Sequence, residues 1–169
     1  PTAPAATPAP APKPAARPGP KALRSAEEEV LQILALHPET WLGAVPEAAL
    51  FADDRCRRVF HFWLEDRRAG RAPDPGAAAA ALTAEEAPWL TALLLEPKTF
   101  DRPMESLARG VERLTTLARR RERAALEPRV LEMLEGRAPR DEQQILRYQT
   151  LTRELRTAVS DPAGPTTER

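Results

Sequence analysis

Residues 25–36 read Ser-Ala-Glu-Glu-Glu-Val-Leu-Gln-Ile-Leu-Ala-Leu, and this stretch decides the fold class. Ser25 followed by Glu28 matches a capping box, in which the hydroxyl accepts from the Glu28 amide and the carboxylate reaches back. Glu27, Glu28 and Glu29 stand where a helix dipole favours negative charge. Val30, Leu31, Ile33, Leu34 and Leu36 then form a dense apolar stripe. His37-Pro38 stops it, because proline disfavours the helical conformation in the residue before it. The pattern predicts a helix over about 26–36 and an all-α protein.

Downstream, the same signals recur. A short second helix fits Glu39–Val45 and would bury Trp41, Leu42 and Val45. Asp53 or Asp54 caps a third helix ending near Gly70, with Cys56, Val59, Phe60 and Trp63 on one face. Cys56 on that stripe reads as a small core residue rather than a nucleophile. Asp74-Pro75 marks another start, before the small Ala77–Leu82 run. Thr83 to Glu86 is a second capping box, opening a helix through Leu95 that buries Trp89, Leu90, Leu93, Leu94 and Leu95, with Pro88 shifting its start. A long helix starts near Pro103 on Leu107, Val111, Leu114, Leu117 and Ala118. The Arg119–Ala125 stretch is too charged for a packed core and is expected to project past the bundle, and Pro128 to kink or break the helix. Val130, Leu131, Met133 and Leu134 resume it until Gly136. Asp141 with Gln144 caps a last helix to about Val159, on which Tyr148, Leu151, Leu155 and Ala158 keep a heptad spacing.

Upstream, residues 1–24 are almost all Pro, Ala and a few basic residues. Such a segment buries too little to offset the entropy of ordering its backbone. It reads as an extended disordered linker, or as a ligand for a proline-recognising domain. The domain organisation expected is therefore a linker over 1–24, a helical bundle over 25–103, a long helix with a C-terminal helical hairpin over 104–160, and a disordered tail over 161–169. A start at Pro rather than Met, behind a spacer, suggests a piece of something longer.

Composition narrows the functional classes. The 169 residues hold 25 basic and 25 acidic side chains, and the zero net charge hides +4 in 1–24, −6 in 25–103 and +2 in 104–169. A nucleic-acid face calls for a basic excess, and the central segment is the opposite. Arg119, Arg120, Arg121 and Arg123 cluster locally and read as a solvated helix face. One Cys excludes an internal disulfide, and one Cys with two His falls short of a four-ligand zinc finger. No apolar run reaches the ~20 residues of a membrane helix, and no secretory signal is visible. A cytoplasmic piece is expected. There is no phosphate loop, no GxSxG and no HExxH, so neither catalysis nor a cofactor is expected of these residues.

The stretches AEEEVLQILALHPETW (26–41) and LFADDRCRRVFHFWLE (50–65) resemble the C-terminal helicase-binding domain of bacterial DNA primase. The resemblance covers about 23–160 and implies a helical bundle followed by a helical hairpin. It implies that the intact protein makes RNA primers, and that this piece tethers it to the N-terminal domain of the replicative helicase and modulates helicase activity. Zinc and a catalytic divalent metal are implied only for domains upstream. The helicase's N-terminal assembly domain is similar to the same bundle, but there an ATPase domain follows, whereas here a spacer precedes and a hairpin follows. A helical nucleic-acid-binding module using Arg119–Arg123, and a plain structural adaptor, are the remaining alternatives.

On the last helix, Ile145, Tyr148, Leu151, Leu155 and Val159 are the candidate partner-binding residues, some facing the preceding helix and some the helicase. Arg147, Arg153 and Arg156 are expected as a polar rim that acts on association rate. The chain alone is expected to be a monomer.

Overall fold

The computed structural model describes residues 20–43, 45–95 and 99–160, without the side chains of 20–25, 159 and 160. The expected linker up to residue 19 and the expected tail over 161–169 lie outside the described residues. The fold is all-α. Among the described residues six helices follow one another: α1 (Pro20–Leu36), α2 (Asp54–Arg68), α3 (Pro75–Ala80), α4 (Ala87–Leu95), α5 (Pro103–Leu134) and α6 (Glu142–Ser160). Short 3-10 turns at Pro38–Leu42 and Ala48–Leu50 carry the chain from α1 to α2.

α1 is the central helix, packed against α2, α4, α5 and the first 3-10 turn. That position explains its sequence, since consecutive apolar residues cover the whole circumference of a helix and suit burial on all sides. All five residues from Val30 to Leu34 are buried, the polar Gln32 among them. Gln32 is satisfied by donating from its side-chain amide to the Leu93 carbonyl on α4. Trp41 donates its indole N–H to the Leu34 carbonyl at 2.8 Å and stacks on Phe60, which stacks in turn on Phe51. Cys56, Val59, Phe60 and Trp63 are buried together, as their spacing predicts. Burial pushes the Cys56 thiol far above its ordinary pKa range, which makes it inert.

The expected capping box at Ser25 is not the start of α1. The helix already runs from Pro20, because proline is well placed in a first turn and Lys21, Ala22, Leu23 and Arg24 are all good helix formers. Glu28 is free to bond elsewhere and accepts the Trp89 indole N–H at 2.8 Å. The second helix expected over Glu39–Val45 is a 3-10 turn that buries Trp41 and leaves Leu42 exposed. Leu95 is likewise exposed rather than buried.

The other caps form as read. Asp53 accepts from the Arg55 amide, and Asp74 from the Gly76 and Ala77 amides. Glu86 reaches back to the Thr83 amide at 3.2 Å, and α4 begins just after it, with Pro88 in its first turn. Gly70 and Gly136 terminate α2 and α5 at a φ of 73°, where other residues are strained.

α5 is continuous for 32 residues, straight through Pro128. The expected break does not occur. Proline removes one ladder donor at an exposed position, and the turns before it are tied to α6 through Glu122 with Arg147 and Glu127 with Tyr148.

Candidate partner-binding surface

α5 has two parts with different neighbours. Its first half lies in the bundle, with Leu107 and Leu114 buried in the core beside Val30 and Leu31. Gly110 lets α1 come close there: a Cβ at that position would lie 2.7 Å from the Val30 Cγ2. Its second half carries α6 and forms the hairpin. Asp141 caps α6 by accepting from the Gln144 amide at 3.1 Å and the Gln144 side chain at 2.8 Å, as the sequence predicts.

The hairpin has its own small apolar seam. Val130 and Met133 of α5 and Leu151 and Leu155 of α6 are buried, and none of the four belongs to the bundle's core cluster. A polar row runs beside the seam. Arg147 donates from Nε and Nη2 to the two carboxylate oxygens of Glu122 at 2.6 and 2.7 Å. This bidentate bond holds Glu122 below the usual carboxylate range and raises Arg147. Arg119 meets Glu154 at 3.2 Å, the Tyr148 hydroxyl lies 3.4 Å from the Glu127 carboxylate, and the Arg123 guanidinium covers the Tyr148 ring.

The sequence-selected residues therefore divide. Leu151 and Leu155 close the hairpin and are not available on its surface. Ile145 and Tyr148 are half-buried at the edge of the seam. Arg147, Arg153 and Arg156 are exposed, with Arg147 bound to Glu122 inside the chain. The Val159 side chain lies outside the described residues, and Ala158, on the expected heptad stripe, is exposed.

Three residues not selected from the sequence supply the outward apolar surface: Leu131, Leu134 and Leu146, with relative exposures of 51, 66 and 61%. Leu131 and Leu134 are three apart on the last turns of α5, and so share a face. The only signal for them in the sequence is that each follows directly on a seam residue, Val130, Met133 and Ile145, and so is rotated about 100° away from it.

The charged stretch Arg119–Arg123 does not simply project past the bundle. Arg121 folds back on it, donating to the Leu50 carbonyl at 2.6 Å, with its other terminal nitrogen 3.7 Å from Glu27. Glu27 is 1% exposed and accepts the amides of Ala52 at 2.7 Å and Asp53 at 3.0 Å. Glu27 is thus not part of a cap on its own helix. It ties α1, the entry to α2 and the root of the hairpin together. With Arg119, Arg121 and Arg123 all held by partners within the chain, Arg120 alone of the four is fully turned to solvent.

A cleft of about 730 Å³ opens beside this root, between the Glu47–Ala52 segment, the start of α2 and the middle of α5. Arg57, Arg119, Arg121 and Arg147 stand around it, against the acids Glu47 and Glu122. Its one hydroxyl, Thr115, donates to the Val111 carbonyl. Each of these arginines is paired within the chain, Arg57 with Asp54, Arg119 with Glu154, Arg121 with Glu27 and Arg147 with Glu122, and the cleft holds no nucleophile paired with a base. Among the described residues no group of three or more His, Cys, Asp and Glu is placed to hold a metal, and no helix is long and apolar enough to cross a membrane. Comparison of the chain with protein-family models, with curated proteins and with solved structures yields no match.

Proposed function

We propose that this chain is a helicase-interaction module of a bacterial DNA primase, docking through its C-terminal hairpin onto the N-terminal domain of the replicative helicase. The reading rests on the resemblance at 26–41 and 50–65 and on the order of parts, a bundle followed by a hairpin. The observation that carries it is the exposure of Leu131, Leu134 and Leu146 on a hairpin whose last helix packs mainly on α5. Apolar side chains presented at a protruding element are what a partner surface needs. In this reading the chain carries out no reaction and binds no cofactor. Zinc and a catalytic divalent metal belong to other domains of such a protein, and the bundle modulates the helicase once the hairpin has docked.

The test is a titration of the chain against a bacterial replicative helicase N-terminal domain. Leu134→Glu and Leu146→Glu, at exposed positions, are expected to leave the circular dichroism and melting of the chain unchanged. Each is expected to weaken binding at least tenfold, the loss of about 1.4 kcal/mol. Binding that is absent in the parent chain, or unchanged in both variants, overturns the reading.

A further inference from the structure

Of its described side chains, α6 buries fewer than α1, α2 or α5 do. It packs mainly on α5, and only Leu151 and Leu155 of its described side chains are buried. Neither belongs to the bundle core, which gathers fifteen buried residues. The bonds that reinforce the seam, Arg147 to Glu122 and Arg119 to Glu154, join side chains that are 37–51% exposed. Pairs of that kind are weak and screened by salt. Most helical stability in proteins comes from packing of one face rather than from propensity, so α6 depends on its docking to α5.

We infer that α6 is a releasable arm: it undocks and unfolds from α5 as a cooperative unit while the bundle stays folded, and ionic strength sets how often it does so. The inference does not depend on the identity of any partner, because the opening belongs to the chain alone. It follows from the two buried side chains of α6, both outside the fifteen-residue bundle core, since contiguous units with few buried contacts open first.

Native-state hydrogen exchange on the whole chain tests it. At low salt, amides between 146 and 158 are expected to exchange at least about tenfold faster than those of Val30 to Leu34, after correction for intrinsic rates. Raising salt to about 1 M is expected to speed the α6 amides by roughly threefold relative to α1. Glu122→Gln is expected to match that acceleration at low salt. Leu151→Ala is expected to raise α6 exchange by about 30-fold or more and leave α1 unchanged. A single common rate for α6 and α1 at both salts overturns the inference. So does a Leu151→Ala chain in which the bundle loses protection together with α6.

Discussion

At Glu27, burial of a carboxylate is made tolerable by two backbone amides and a nearby guanidinium, as a buried charge requires. The residue looks like one of three dipole-compensating acids, and no local rule separates it from Glu29. Its partners are 25, 26 and 94 residues away in sequence, so only the tertiary fold reveals its role. Cys56 is the opposite case: its place on an i, i+3, i+4, i+7 stripe suffices to predict a buried, unreactive thiol. Gly110 is also illegible in the sequence, because its meaning lies in the closeness of Val30. Alanine there would raise helix propensity by about 1 kcal/mol. Its Cβ, however, would push on a stiff β-branched side chain in a filled core, at a cost of about 1–3 kcal/mol. Gly110→Ala is therefore expected to lower stability by about 1 kcal/mol in urea unfolding. In a Val30→Ala background, with the opposing methyl gone, it is expected to stabilise by up to about 1 kcal/mol. The same sign in both backgrounds would show that the contact does not limit the packing.

Among the elements, the hairpin combines a thin apolar seam with a polar row, and its response to pH follows from the bond between Arg147 and Glu122. Because the bond depresses Glu122, its contribution is complete above the ordinary glutamate value of about 4.3 and is lost as pH falls through the lower, docked value. A carboxyl-carbon NMR titration is expected to place the Glu122 midpoint below the ordinary range, and Arg147→Gln is expected to return it there. An unchanged midpoint in that variant would mean that the bond does not persist in solution. The elements themselves were largely legible: periodicity placed α2, α5 and α6, and Asp53, Asp74 and Asp141 cap as their positions predict. The start of α1 was hidden by its Pro/Ala neighbourhood, where composition speaks for a linker and local propensity for a helix. The continuity of α5 was hidden because proline's local penalty, about 3 kcal/mol, is weighed against contacts with a helix fourteen or more residues further on.

Across the whole molecule, a central α1 organises a compact bundle, and one long helix leaves that bundle to carry α6, whose buried leucines lie outside the bundle core. The all-α class and the order of bundle and hairpin were readable in the sequence. The surface was not: periodicity finds the stripe that packs, and Leu151 and Leu155 lie on that stripe because they close the hairpin. The outward residues, Leu131, Leu134 and Leu146, lie one position off it. We propose this outer hairpin surface as the place where a replicative helicase is gripped. Its most direct test is leucine-methyl NMR of the chain with and without the helicase N-terminal domain. The methyls of Leu131, Leu134 and Leu146 are expected to shift or broaden on binding while those of Leu31 and Leu34 in the bundle core keep their positions. Complex formation with the three hairpin methyls unmoved, or no complex at all, would contradict it.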